Sequence, residues 1–112
     1  MIIATRILKL RREGDTDIEV PIRLYLPEQT GERAWSCKFE IEWPDRTISV
    51  PAGGVDAVQT IFNALQIIGA LIYSSEYHES GNLFYDTLGS GYGFPVAPDL
   101  RDMLVGDDAK YL

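Results

Sequence analysis

The chain has 112 residues, 46% hydrophobic and 24% charged, and its 17 Asp and Glu outnumber 10 Lys and Arg to give a formal net charge of −7. That length fits one domain, 1–112, large enough to bury a core without staples. The composition excludes several classes: the longest apolar run, 67–73, is far below the roughly 20 residues that cross a bilayer, and a negative field argues against nucleic acid as a main partner.

Residues 2–12 alternate imperfectly, with Ile2, Ala4, Leu8 and Leu10 on one side and Ile3 and Ile7 on the other, which predicts a strand partly covered on both faces. This N-terminus lacks the basic and long apolar regions of a signal peptide, so a cytoplasmic location is expected. Arg6, Lys9, Arg11, Arg12 and Arg23 gather ahead of the acidic bulk. They form a basic spot if the first two strands pair, or a solvated edge whose Lys and Arg discourage aggregation.

After a turn at Glu13-Gly14-Asp15, residues 17–26 alternate cleanly, with Ile18, Val20, Ile22, Leu24 and Leu26 on one face. Pro21 has no N–H, which predicts an edge position or a bulge. Residues 27–32, PEQTGE, read as a polar loop. Residues 34–43 alternate again, with Trp35, Cys37, Phe39, Ile41 and Trp43 inward. Pro44-Asp45 supplies a tight turn, and residues 46–50 form a short fourth strand. Short loops favour antiparallel neighbours, so the four strands read as a meander.

Pro51-Ala52-Gly53-Gly54 breaks the strand pattern, and a long helix is predicted over 55–73. Asp56 falls in its first turn, where a negative charge favours the macrodipole. One apolar stripe runs Val55, Val58, Phe62, Leu65, Ile68 and Ile72; a second runs Ile61, Ala64, Ile68 and Leu71. Asp56, Gln59, Thr60, Asn63, Gln66 and Ser74 share a narrow polar strip. The apolar face is wider than the roughly 100° of an ordinary surface helix. One sheet face cannot cover it, and the C-terminal segment or a second subunit is expected to take the rest. Gly69, inside the helix, predicts close approach of a neighbour.

Beyond the helix, residues 83–85 read as a short strand, Thr87 to Phe94 as a glycine-rich loop, and residues 95–98 as extended. Leu100 to Val105 reads as a short helix capped by Asp99 and stopped by Gly106, and residues 107–112 as a tail. The expected fold class is therefore α+β: an antiparallel β-meander of about four strands packed against one long α-helix, with a Gly-rich return segment and a short C-terminal helix.

Four groups of residues carry possible chemistry. Gly89-Ser90-Gly91-Tyr92-Gly93 could cradle a phosphate with backbone N–H groups, but it lacks dinucleotide spacing and a following helix, which favours a structural loop. Glu76, His78 and Glu79, with Asp86 nearby, could hold a metal or run acid–base chemistry, or simply solvate a helix end. Cys37, the only cysteine, sits in the inward set of its strand and reads as a core thiol; it excludes an internal disulfide. The aromatics Tyr73, Tyr77, Phe84, Tyr85, Tyr92 and Phe94 suit either a binding surface or a second core.

The segments WSCKFEIEWP at 35–44, GVDAVQ at 54–59, YHESG at 77–81, GYGFPV at 91–96 and LRDMLVGDDAKYL at 100–112 resemble a family of small bacterial proteins classed as a domain of unknown function. The resemblance implies a bacterial cytosolic origin and carries over no functional residues.

With no catalytic constellation, no cofactor and no metal expected, the leading reading is a non-enzymatic protein-binding or accessory protein. It would act as a homodimer or on a basic partner drawn by its acidic surface. The alternative is a small-ligand or metal-binding protein, or an enzyme, with a pocket between the long helix and the Gly-rich loop formed by His78, Glu79, Tyr92 and Tyr85. Nucleic-acid binding through Arg6, Arg11, Arg12 and Arg23 ranks last.

Overall fold

A computed structural model describes all 112 residues, Met1–Leu112. The fold is α+β, an antiparallel sheet of six strands with helices. In chain order the elements are β1 (Ile2–Leu10), β2 (Ile18–Tyr25), β3 (Glu28–Gly31), β4 (Ala34–Glu42), β5 (Thr47–Gly54), α1 (Ala57–Tyr73), α2 (Glu76–Glu79), β6 (Leu83–Phe84), a 3-10 turn (Pro98–Met103) and α3 (Gly106–Tyr111).

The meander is longer than the alternation pattern suggests. The segment expected to be a polar loop at 27–32 contains β3. β3 pairs with the start of β4 (Glu28 with Ser36), while β2 pairs with its end (Leu24 with Phe39). β3 thus continues β2 past a break at Leu26-Pro27, on the same edge of β4. Its side chains are all exposed, which is why polarity hid it. β5 runs along the opposite edge of β4 from Thr47 to Gly54, and β6 adds to β1 at Lys9 and Leu10.

Both proline expectations need correction. β2 is an interior strand, flanked by β1 and β4. Pro21 is tolerated because β2–β4 pairing stops one residue away, at Ile22 with Ile41; its lost N–H removes no bond from the ladder. Pro51 does not end β5, which continues to Gly54. β5 has no neighbour beyond β4, and an edge strand accommodates proline.

The core forms where the inward faces of β1, β2, β4 and α1 meet. Leu8, Val20, Phe39, Ile41, Ile68 and Ile72 are fully buried. α1 lies chiefly on β4 and β5. Asp56 is its N-cap rather than a first-turn residue: the carboxylate accepts from Gln59 N–H at 2.8 Å, and the Gln59 side chain accepts from Val55 N–H at 2.8 Å. One orphan donor of the first turn, and the N–H of the residue before the cap, are thereby satisfied.

The face of α1 that meets the sheet takes members of both apolar stripes and one residue of the polar strip. Thr60, Ala64, Ile68 and Ile72 are buried, although Thr60 read as polar. Its hydroxyl donates to Asp56 O at 2.6 Å, which removes the cost of burying it. Val58 and Phe62, from the first apolar stripe, are 78% and 53% exposed. The return segment covers the C-terminal half of that side: a Cβ on Gly69 would lie 1.9 Å from Pro95 O. It leaves the N-terminal half open.

The C-terminal helix also differs from expectation. The residues around 100 form a 3-10 turn that begins at Pro98 and has no side-chain cap from Asp99. Gly106 opens α3 instead of ending a helix, at a φ of 57° that suits glycine. The expected tail is α3 itself.

Candidate functional site

Two places bring chemistry-bearing residues together. The first is where α1 ends and the Gly-rich return crosses it. Ser75 caps α2, accepting from His78 N–H at 3.1 Å, and so fixes the histidine. His78 Nδ1 lies 2.5 Å from the Tyr92 hydroxyl. The rings of Tyr73, His78 and Tyr92 pack edge to face at centroid distances of 4.8–5.5 Å. Burial holds His78 below its ordinary pKa, and pushes Tyr92 up to about 12, with the nearby Asp108 charge adding to the shift.

Asp108, only 2% exposed, organises this cluster. Its Oδ2 accepts from the Tyr73 hydroxyl at 2.5 Å and from Tyr92 N–H at 2.8 Å; its Oδ1 accepts from Gly93 N–H at 2.8 Å. The glycine loop therefore does what such loops do, converging its amides on an anion, and the anion is the chain's own carboxylate. Gly91 is required there: its φ is 92°, and a Cβ would lie 2.5–2.7 Å from the Asp108 carboxyl atoms. Asp107 N–H donates to Ser90 O at 2.8 Å, tying α3 to the same loop.

Every buried polar side-chain atom of this network has a partner. The arrangement pins the return segment to α1 and α3. Of the residues singled out in the sequence, His78 and Tyr92 meet here. Glu79 is exposed and its side chain makes no hydrogen bond, and Tyr85 stands elsewhere. Glu76 reaches Arg46 at 3.7 Å. No group of three or more His, Cys, Asp and Glu is placed to hold a metal ion. Cys37 is fully buried, and burial raises its thiol.

The second place is a cavity of about 250 Å³ between β1 and the return segment. Ile22 and Leu24 of β2, Leu65 and Ile68 of α1, and Phe94-Pro95 give it apolar walls. Arg6 of β1 also lines it. The Arg6 guanidinium lies 4.6 Å from the Tyr85 ring centroid and 5.2 Å from that of Phe94. Its Nη1 donates to the carbonyls of Tyr92 and Gly93, each at 3.1 Å. Gly93 is also specific to this contact, since a Cβ there would meet Nη1 at 2.3 Å. Nε and Nη2 donate to nothing, and no carboxylate lies within ion-pair distance of Arg6.

Alongside this cavity β1 presents an open edge. Strand β6 pairs with Lys9 and Leu10 alone, so the edge from Ile2 to Leu8 has no strand neighbour. Arg11 N–H donates to Asn82 O on that side. Residues two apart point the same way, so the free donors and acceptors belong to Ile7 and Thr5; the register of β1 on β2 shifts between Ile2 and Ala4, and the alternation is broken there. Ile3 and Ile7 are 42% and 40% exposed. Phe62 and Val58 stand about one and two helical turns before Leu65 and extend the apolar surface.

Sequence reasoning found the His78–Tyr92 pair but not Asp108, which lay in an apparent tail. The available signal was the glycine loop, whose amides needed an anion. It saw Arg6 only as one of a group of basic residues. That Arg6 alone faces a cavity depends on the return segment crossing β1, which no local pattern encodes.

Compared with known families, residues 4–96 match the model described as "Domain of unknown function (DUF6968)". No curated protein and no solved structure matches the chain.

Proposed function

The chain belongs to this family, the domain of unknown function DUF6968, and from its own geometry we propose that it is a non-enzymatic protein-binding module whose open β1 edge accepts an extended segment of a partner protein. The observation that carries the reading is the free edge from Ile2 to Leu8 lying directly beside an apolar cavity. Strand addition uses those two features together: backbone hydrogen bonds supply affinity and a neighbouring pocket selects alternate side chains. The opposite edge, β5, is unsuited to the same role, because Pro51, Gly53 and Gly54 interrupt it.

The test is selection of random octapeptides displayed on phage, against the wild-type protein and against Thr5→Pro. Proline removes an outward N–H from the edge and leaves the β2-facing bonds of Arg6 and Ala4 in place. Peptides enriched on the wild type and lost on a folded Thr5→Pro variant are expected. No enrichment on the wild type, or equal enrichment on both, overturns the reading.

A second reading is favoured by the cavity's position between α1 and the Gly-rich segment: a small-molecule site there, with Arg6 in the role first given to His78. It predicts ligand binding that Thr5→Pro leaves intact.

A further inference from the structure

The free edge alone does not say what pairs with it. The charge of the residues around it does. β1 and the turn after it carry Arg6, Lys9, Arg11 and Arg12, and no acidic residue falls before Glu13. Arg12 is engaged by Asp15 at 3.5 Å, but Lys9 and Arg11 have no ion-pair partner. Arg6 is the most specific of them. Its side chain is fixed on three sides, by two aromatic rings and a pair of carbonyls, yet Nε and Nη2 reach solvent without a partner. An arginine held this way has already lost its rotamer freedom, and two adjacent N–H groups match the two oxygens of a carboxylate.

We infer that the cavity beside β1 is a carboxylate-reading subsite. It recognises an extended partner segment carrying an Asp or Glu side chain at Arg6, with an apolar side chain of the same segment against Leu24, Leu65 and Phe94. This rests on the strand-addition reading and adds the chemical class of the partner. A second copy of the chain is a poorer occupant, because an antiparallel β1–β1 pair brings only Arg and Lys to the site and leaves both Arg6 forks unmatched. The net charge of −7 does not oppose an acidic segment at close range. At physiological salt, exposed charges farther apart than about 8 Å are largely screened, so the local cations decide.

The peptides selected on the wild type are expected to be enriched in Asp or Glu at one fixed position with apolar neighbours. Changing that residue to Asn or Gln in one synthetic selected peptide, acetylated and amidated at its ends, should weaken binding by about tenfold or more, the size of one charge-assisted hydrogen bond pair. Arg6→Gln should erase the preference between the acid and amide peptides. Arg6→Lys keeps the charge, loses the fork and should retain part of it. Should Arg6→Gln fail to fold, the acid–amide comparison on the wild type still decides.

Selected peptides with no acidic preference, or a preference that a folded Arg6→Gln retains, overturn the carboxylate subsite and leave strand addition standing. Absence of any selected peptide removes both. A dimer mass by light scattering that Thr5→Pro converts to monomer places a second copy on the edge and overturns the acidic occupant.

Discussion

At the scale of single residues, Asp108 shows how one buried carboxylate can replace a great deal of regular structure. It collects a hydroxyl and two backbone N–H groups from segments 15 or more residues away. Asp108→Asn retains only one acceptor oxygen, so at least one buried donor is left unpaired. A loss of about 1–3 kcal/mol is expected, read as a lower urea midpoint; an unchanged midpoint would show that the return segment is held by something else. His78 gives a pH dependence whose sign follows from burial. Its pKa is depressed in the folded chain from an ordinary value near 6.5, so below about that pH the unfolded chain takes up a proton that the native one resists. Stability is complete above this window and falls as pH drops through it. Urea midpoints measured between about pH 7.5 and 5.5 should decline for the wild type and decline less for His78→Gln; parallel curves would remove the histidine from the account. The His78–Tyr92 pairing was legible because both residues were conspicuous, a lone histidine near an aromatic in a glycine loop. Asp108 was not, because nothing in DDAKYL distinguishes an aspartate that solvates a tail from one that anchors it.

At the scale of elements, alternation revealed strands wherever one face is buried and failed where none is. β2 and β4 read cleanly because Val20, Ile22 and Leu24, and Cys37, Phe39 and Ile41, face one core. β3 is exposed along its whole length, so its pairing with β4 leaves no period-two signal. The length of α1 was legible, but the face it turns to the sheet was legible only in part. Hydrophobicity favoured the Val58–Phe62 side, whereas packing chose the side with small residues: a Cβ on Gly54 would lie 2.4 Å from the Thr60 hydroxyl, so β5 and α1 meet there at close range. Gly69 makes the same point on the other flank. Alanine is the better helix former by up to about 1 kcal/mol, and propensity alone predicts that Gly69→Ala stabilises. The Pro95 carbonyl occupies the space its Cβ needs, so the substitution is expected to destabilise by about 1–3 kcal/mol. Chemical denaturation decides between the two signs, and a rise in midpoint would mean that the return segment yields easily.

At the scale of the whole molecule, the chain is longer than a compact domain of its size. Its radius of gyration is 14.5 Å and its extents are 52 × 27 × 19 Å, against about 13 Å for a typical compact chain of this length. The elongation follows from a meander whose β3 extension projects past the body of the sheet. It also concentrates uncovered apolar side chains at one end. The beginning of β1, the end of β2 and the first turns of α1 all lie there, since Leu26 N–H donates to Met1 O and Gly54 pairs with Trp35. Val58 and Phe62 stand at that end 78% and 53% exposed, so the structure draws little folding energy from them. A Val58→Ser, Phe62→Ser double variant is therefore expected to keep its unfolding free energy to within about 0.5 kcal/mol per site, the range of surface substitutions. It should at the same time lose much of the fluorescence that the wild type induces in an apolar dye such as anilinonaphthalene sulfonate. A loss of several kcal/mol would instead make these residues part of the core and close the apolar end as a surface. Equal stability with reduced dye binding would leave an apolar surface that folding does not use, next to a strand edge that folding does not pair, and both would then be available to a second chain.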